Sequence, residues 1–238
     1  MQHFLWILPV LLALWFGVPL VFAKWARFRL DRRTRRARIC VLSFDDGPGK
    51  TLTPAVLDFL SERRFPAVFF LLGEKLEDPE LREIAGRLSL AGYEIGSHGY
   101  AHLHHWKSLP WVGIKDIRKG WRILERELGL EGPRLPFRPP YGKLNLASLL
   151  FLLFHRTPIV WWTIDSHDTY GREGSRPSDA AEKLFKRGGG VILLHDFERT
   201  DPSAERFVMD CLSSLSDRKP EAAPVFGTLR QLGILSGH

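Results

Sequence analysis

The sequence predicts an α/β fold in which parallel strands form a closed or partly closed barrel. From residue 39 onward, short apolar segments alternate with amphipathic helical segments, a pattern typical of β-α units that build a parallel sheet. One domain of this length suits a barrel, in which functional residues collect at the carboxyl ends of the strands. Polar residues follow five of the predicted strands. We therefore expect these polar residues to meet at one rim of the barrel.

Apolar, β-prone segments predict the strands in order. They cover residues 39–44, 67–72, 93–97, 135–138, 159–164 and 191–194. Between them, apolar residues at helical spacing predict the helices. These begin at Thr53-Pro54 and Asp78-Pro79, and continue with residues 111–128, 144–154, 178–186, 204–215 and 228–235. A proline directly after a Thr or Asp cap favours a helix start, because the first helical position needs no amide donor.

An apolar segment precedes the domain. Residues 4–23 carry no charge and are long enough to cross a bilayer as a helix, which predicts a single transmembrane anchor within residues 1–23. The alternative is a cleaved signal peptide, because Val21-Phe22-Ala23 resembles a small-residue cleavage site. Residues 1–3 contain no Lys or Arg and the apolar segment is long, which favours the uncleaved anchor.

A basic segment, residues 24–38, is predicted to be a juxtamembrane linker before the domain at 39–238. Its eight Lys and Arg residues and one Asp give +7, which equals the net charge of the whole chain, so residues 39–238 sum to zero. A domain without net positive charge argues against a nucleic-acid partner. The linker is expected to contact anionic lipid headgroups. The positive-inside rule then predicts the domain on the cytoplasmic side, with an extracytoplasmic domain as the alternative.

The first polar cluster is the carboxylate pair Asp45 and Asp46 at the end of strand 39–44. Two adjacent Asp at a strand end can face one cleft, one holding a metal while the other stays free as a base. A lone Asp-Asp-Gly is more simply a turn with a helix cap. His98 and His102, spaced to reach one point, favour the metal, because two His and one carboxylate leave the open coordination positions of a catalytic site.

Three further clusters follow later strands. Arg138 precedes two prolines that form a rigid turn, Asp165 and Asp168 follow strand 159–164, and His195 ends strand 191–194 beside Asp196. Each has a simple structural explanation when taken singly: a proline-rich connector for Arg138, a helix cap or solvated loop for Asp165 and Asp168, and a core histidine for His195. The position of His195 next to an Asp favours a titrating role.

These stretches resemble the polysaccharide deacetylase family, the NodB-homology or carbohydrate esterase family 4 group. The motifs Ser-Phe-Asp-Asp-Gly-Pro, His-x-x-x-His, Arg-Pro-Pro-Tyr-Gly, Asp-x-x-Asp and Leu-Leu-His-Asp occur here in the family's order, over residues 39 to 235. The resemblance implies a distorted (β/α) barrel of about seven parallel strands. It also implies a metal-dependent hydrolase that removes N-acetyl groups from amino sugars.

The resemblance assigns a role to each matching position. Asp46, His98 and His102 are implied to bind one divalent metal ion, usually zinc. The other implied roles are the base for Asp45, the base-orienting arginine for Arg138, the oxyanion-hole N–H for Tyr141, the acid for His195, the wall of the acetyl-methyl pocket for Leu193, and the partner of His195 for Asp168 rather than Asp165. The departures from the family pattern are Ser43, Gly99, Thr169 and Phe197. None of these four residues is a metal ligand, the base or the acid. We therefore expect them to affect which substrate fits the site rather than the reaction itself.

Two other functions stay open at this point. One is a non-catalytic glycan-binding protein on the same fold, against which the presence of Asp45 and His195 argues. The other is a non-haem iron oxygenase, which also uses two His and one carboxylate but usually has an all-β fold. The expected partners are an N-acetylated polysaccharide or lipid-linked glycan and the membrane, contacted through residues 1–38; no protein partner is predicted.

Overall fold

The computed structural model of the chain describes residues 9, 12–169, 176–198, 202–217 and 224–235. The strands are β1 (Ile39–Asp45), β2 (Ala67–Leu71), β3 (Glu94–Ser97), β4 (Ile164–Asp165), β5 (Gly190–His195) and β6 (Val225–Phe226). The α-helices are α1 (Val18–Ala37), α2 (Leu52–Arg63), α3 (Pro79–Leu90), α4 (Pro110–Leu128), α5 (Leu146–Phe154), α6 (Pro177–Arg187) and α7 (Pro202–Asp217). Short 3-10 turns lie between them, including Pro140–Gly142.

All strand pairings are parallel. The sheet has the order β3-β2-β1-β5-β4, and β6 pairs with the start of β1. Single bridges join Phe137 to Ser97 at the end of β3 and to Ile159. The segment that begins with Ile159 also contains β4, which pairs with β5. The pairings therefore follow a circuit that returns to β1, and the carboxyl ends of the strands share one rim.

Two hydrophobic layers lie on either side of this sheet. Alternate residues of β1, β2 and β5 point outward and pack against helices. Among them, the rings of Phe44 and Phe69 are stacked with their centroids 4.9 Å apart. The inward layer contains Val41, Val68, Val191 and Leu30 of α1. Burial on both faces explains why the central strands are continuously apolar rather than alternating.

The parallel α/β fold predicted from the sequence is confirmed. The described residues contain six strands where about seven were expected, because segment 135–138 contributes a single bridge at Phe137. Prolines at 136 and 139 flank Phe137, and proline has no amide hydrogen for a ladder. The predicted helix at 228–235 is wrong, since this segment forms turns.

The basic segment expected as a linker is helical and lies against the barrel. Helix α1 continues without interruption across residue 24. Arg38 caps its C-terminus, and the left-handed conformation of Arg38 (φ 54°) lets its N–H donate to carbonyls of the last turn. Two of its own side chains, Leu30 and Thr34, are buried. Asp31 accepts a 2.6 Å hydrogen bond from Arg187, and Phe22 packs on Trp161. A lone charged segment would be solvated, but α1 has apolar residues at helical spacing that give it a face to bury.

The transmembrane prediction covers residues that the structure describes only in part. Residues 4–8, 10 and 11 of the expected span 4–23 lie outside the described residues. Among the described residues, none of the helices is both long enough and apolar enough for a bilayer crossing.

Candidate active site

The two carboxylates at the end of β1 face different partners. Asp45 is the last strand residue and is 2% exposed. Asp46 has a left-handed backbone (φ 67°). Its side chain therefore does not follow the alternation between the two faces of the sheet that strand residues show. Asp45 meets an arginine, whereas Asp46 meets two imidazoles. The sharp change of backbone direction therefore gives adjacent residues separate tasks.

Arg138 fixes Asp45 from inside the barrel. Its side chain is fully buried, and Nη1 donates to Asp45 Oδ1 and to the Ser43 hydroxyl, each at 2.8 Å. Its Nε donates to the Val160 carbonyl at 3.3 Å, and the guanidinium lies 4.1 Å from the Phe70 ring centroid. Burial lowers the pKa of Arg138, and the charge of Asp45 opposes that effect. A charge-assisted bond in this setting holds the carboxylate in one orientation.

Asp46, His98 and His102 converge on one point. The Nε2 atoms of His98 and His102 lie 3.3 and 3.2 Å from Asp46 Oδ1, and all three donor atoms lie within 4.8 Å of one another. His98 Nδ1 is 2.7 Å from the carbonyl oxygen of Arg138. Because a carbonyl only accepts, Nδ1 carries the proton, and Nε2 of a neutral imidazole presents its lone pair.

This donor set fits a divalent metal ion. Asp46 Oδ1 is buried and has no hydrogen-bond partner among the described residues. Burial alone would raise the pKa of Asp46, but the neighbouring imidazoles, His98 first, lower it and keep the carboxylate ionised. An ionised oxygen that faces two imidazole nitrogens, with no proton donor assigned to it, is suited to share a cation with them. Asp46, His98 and His102 would therefore hold the ion.

His195 faces this cluster from β5. Its Nδ1 lies 2.8 Å from Asp168 Oδ1, and its backbone N–H donates to Asp168 Oδ2 at 2.9 Å. The other ring nitrogen, Nε2, lies 4.0 Å from Asp46 Oδ2. Burial would lower the pKa of His195, but the Asp168 carboxylate leads the charges that raise it to about 9. The second candidate, Asp165, instead lies beside His167.

Tyr141 and Leu193 complete the set named from the sequence. Tyr141 follows Pro140 with a left-handed backbone (φ 57°), and its ring lies 4.4 Å from that of His102. Leu193 is opposite Ser43 in the sheet, two residues before His195, so it shares a face with Asp45 and His195. All the residues named from the sequence thus lie at one rim.

Four residues of this rim hold strained backbone. Asp46, His102, Tyr141 and His167 are non-glycine residues with φ between 49° and 67°. Such conformations cost on the order of 1–3 kcal/mol each and persist only where surrounding contacts enforce them. Their concentration at one rim is typical of a functional site.

Asp116 is a site-supporting residue that the sequence reasoning missed. From α4, its two carboxylate oxygens accept the N–H groups of Tyr100 and Ala101, at 3.1 and 3.0 Å, in the loop between the two histidines. The carboxylate also occupies the space that a side chain at Gly99 would fill, and Gly99 has φ +83°. The glycine at 99, where the family usually has a larger residue, therefore leaves room for the Asp116 carboxylate on the otherwise apolar face of α4. An acidic residue on the apolar face of a predicted helix was the feature of the sequence that could have indicated this role.

Asp196, noted in the sequence only as the neighbour of His195, supports the turn after the carboxylate pair. It is fully buried, its Oδ2 accepts from the Thr53 hydroxyl at 2.7 Å, and its carboxylate lies directly against Gly47. Burial raises the pKa of Asp196 to about 7. Only glycine leaves room for this contact, which explains Gly47 in the motif.

Known proteins resemble this chain in sequence and in fold. Residues 32–152 match the sequence profile of the family described as polysaccharide deacetylase. A chitooligosaccharide deacetylase of Sinorhizobium fredii is 31% identical over 158 residues, 65% of this chain and 70% of that protein. A peptidoglycan-N-acetylglucosamine deacetylase of Bacillus cereus is 36% identical over 155 residues, 65% of this chain and 54% of that protein. The match to the second relative thus spans about half of its length.

A solved structure shows the same fold. The crystal structure of a peptidoglycan N-acetylglucosamine deacetylase superposes with a TM-score of 0.71 and 28% identity, covering 85% of this chain and 91% of that one. The profile match at 32–152 contains Asp45, Asp46, His98, His102 and Arg138. The chain belongs to the polysaccharide deacetylase family.

Proposed function

We propose that this chain is a metal-dependent hydrolase that removes N-acetyl groups from the amino sugars of a glycan. The observation that carries the proposal is the arrangement at the rim. A buried, arginine-held carboxylate lies on one side of an Asp-His-His cluster, and an Asp-held imidazole lies on the other. Family membership and relatives whose names specify N-acetylglucosamine or chitooligosaccharide deacetylation support it.

A divalent ion, which we propose to be Zn²⁺, would be held by Asp46, His98 and His102. When bound there, it supplies an electrophile that acidifies water and polarises a carbonyl oxygen. The hydrogen bond from His98 Nδ1 to the Arg138 carbonyl fixes the tautomer that this role requires. Asp116 keeps the loop between the histidines in place through its two backbone contacts.

Asp45 is the proposed general base. It takes a proton from the attacking water while the new C–O bond forms at the acetyl carbonyl carbon. Arg138 holds Oδ1, so Oδ2 is the oxygen left to face the water. The N–H of Tyr141 is the proposed donor to the negative charge that develops on the carbonyl oxygen, and Leu193 is the proposed wall for the acetyl methyl group.

His195 is the proposed general acid. Asp168 holds Nδ1 and keeps the imidazole protonated near neutral pH, as the raised pKa indicates. Nε2 then donates its proton to the amide nitrogen as the C–N bond breaks, which releases acetate and a free amino sugar. The proton taken by Asp45 replaces the one that His195 gives up, so the site is restored after each turnover.

Acetate release from chitotetraose in the presence of Zn²⁺ tests this function. Asp45→Asn should lower kcat by about 10²- to 10⁴-fold, the usual contribution of a general base, and should retain bound metal. Asp58→Asn is the matched control, because Asp58 is exposed on α2 and should change nothing. A wild-type chain that binds glycans but releases no acetate from any N-acetylated oligosaccharide would instead identify a binding protein. The oxygenase alternative loses its support, because the observed fold is α/β rather than all-β.

We also propose that the outer face of α1 binds an anionic membrane surface. Val18, Val21, Trp25 and Phe28 are exposed. They recur at three- and four-residue intervals, so they share one face of the helix. Arg29 and Arg32 flank that face. An apolar stripe bordered by arginines suits a helix that lies in the headgroup region of a bilayer.

Co-sedimentation with liposomes tests the membrane proposal. Wild-type protein should sediment with phosphatidylserine vesicles more than with phosphatidylcholine vesicles, and Trp25→Ser with Phe28→Ser should reduce sedimentation. Leu90→Ser is the control, because Leu90 is 90% exposed on a different helix, α3. Equal sedimentation of all variants would contradict the proposal.

The side of the membrane remains a proposal drawn from the charge pattern. Basic residues that follow an apolar segment favour the cytoplasmic side. Carboxyl-terminal fusions to alkaline phosphatase and to a fluorescent protein that matures only in the cytoplasm would decide it. Phosphatase activity without fluorescence would place the domain outside and favour a finished wall polymer as substrate.

A further inference from the structure

A small basic cavity lies between helix α1 and the turn that contains Tyr141. Its volume is about 190 Å³, and its walls come from α1, from Trp106 and from residues 141–144. Pockets for drug-sized ligands measure about 300–1,000 Å³. This cavity is therefore of a size for one chemical group of a substrate rather than for a whole oligosaccharide.

Three cations line the cavity. They are Lys24, Arg27 and Lys143, and none of the lining residues is acidic. None of the three forms an ion pair with another described residue. Lys143 lies 4.3 Å from the Trp106 ring centroid. Three positive charges around one cavity repel each other, and an anion bound among them would remove that repulsion.

Arg27 is the most constrained of the three. Its guanidinium lies 4.6 Å from the Trp162 ring centroid, and its Nε is buried without a hydrogen-bond partner among the described residues. Burial and the charge of Arg138 lower its pKa, while the nearby charge of Asp165 opposes them. A buried donor without an acceptor is unfavourable, because it has lost its hydrogen bonds to water and has gained none in return. The stacked ring holds this donor in place, ready for an acceptor.

Tyr141 separates the cavity from the Asp-His-His cluster. Its ring contacts His102 on one side, and its backbone continues into Gly142, where a Cβ would lie 3.0 Å from Arg27 Nη2. A group in the cavity would therefore belong to the same sugar as the reacting acetamide or to the next one. Lys24 and Arg27 precede residues 32–152, the segment that matches the family profile, so the profile match does not include this wall of the cavity.

We propose that this cavity binds an anionic group of the substrate, so that the chain prefers an N-acetylated sugar that carries a carboxylate or a phosphate next to its reacting acetamide. The inference rests on the proposed deacetylase function and specifies its substrate class. The carboxylate could be the lactyl group of N-acetylmuramic acid, and the phosphate could be that of a sugar diphosphate. Arg27 donates to the anion in a fixed direction, and the two lysines act as mobile charges.

Binding and turnover test the proposal separately. Calorimetry compares N-acetylmuramic acid and N-acetylglucosamine 1-phosphate with neutral N-acetylglucosamine. Kinetics compare acetate release from a disaccharide of N-acetylglucosamine and N-acetylmuramic acid, and from UDP-N-acetylglucosamine, with release from chitotetraose. We expect at least one anionic ligand to bind about tenfold or more tightly than the neutral sugar, the usual scale for a hydrogen bond to a charged group. The anionic-to-neutral ratio of kcat/KM should be raised to a similar extent.

Arg27→Gln and Lys143→Gln should each lower both ratios about tenfold. Arg36→Gln is the matched control, because it removes the same charge from an exposed position of α1 and should leave both ratios unchanged. A change confined to the muramic ligands identifies a carboxylate site, and one confined to the phosphates identifies a phosphate site. Equal binding of neutral and anionic sugars would overturn the inference even if acetate is released. Discrimination in binding without any acetate release would support the anion site and refute the deacetylase function.

Discussion

Replacing Arg138 should damage stability and catalysis together, because this one side chain neutralises a buried carboxylate. Arg138 is fully buried and Asp45 is 2% exposed, and their shortest contact is 2.8 Å. Arg138→Met keeps much of the side-chain length and the contact with Phe70 but removes the charge and its donors. Breaking a buried ion pair from one side costs about 3–5 kcal/mol, because the remaining charge has no partner. For a domain of this size, that corresponds to a fall in Tm of roughly 6–20 °C.

Urea denaturation at pH 7 with EDTA measures this cost without a contribution from bound metal. The single variants Arg138→Met and Asp45→Asn are compared with the double variant. The double variant leaves no uncompensated charge, so it should be more stable than the sum of the single losses predicts, by roughly 0.5–3 kcal/mol. Wild-type stability in Arg138→Met, or strict additivity in the double variant, would refute the argument that Arg138 balances the charge of Asp45.

Three further outcomes follow from the site geometry. His98→Ala combined with His102→Ala should reduce zinc measured by atomic emission from about one per chain to background, because only one of the three ligands is left; stoichiometric zinc would refute the site. Gly47→Ala should lower acetate release and Tm, because the new methyl group would overlap the Asp196 carboxylate; unchanged activity would contradict this packing. In metal-free protein, the raised pKa of His195 should add stability that is complete below pH 6.5 and is lost as pH rises toward about 9. This contribution is on the order of 3 kcal/mol, and urea titrations of His195→Gln should lack that loss.

The sequence predicted what depends on local patterns. The strand at β1 and the helix start at Asp78 follow from apolar runs and capping chemistry, and Asp78 does accept from the Glu80 N–H. The gathering of polar residues at one rim followed from parallel topology alone. The residue pattern alone left Asp165 and Asp168 open, and the resemblance favoured Asp168. In the structure it is the Asp168 carboxylate that reaches across to His195 of β5.

The supporting contacts could not be predicted from the sequence in the same way. Asp116 lies 14 residues beyond His102 in the sequence, and its value comes from two backbone donors that only the folded loop presents. Asp196 likewise acts on Gly47 from a different strand. The helical packing of residues 24–38 also depends on the folded domain. Their charge density predicted a linker at the lipid headgroups, whereas the apolar residues on one side of α1 bury against the barrel.

Helix α1 therefore has three faces with separate consequences for function. Leu30 packs into the barrel interior, which fixes the rotation of the helix. That rotation directs Arg27 toward the cavity beside Tyr141 and leaves Trp25 and Phe28 exposed. If both proposals hold, an anionic glycan would be bound by the same helix that contacts the lipid surface. A substitution that turns α1, such as Leu30→Asp, should then weaken liposome binding and anion preference together, while variants confined to one face affect only one of them.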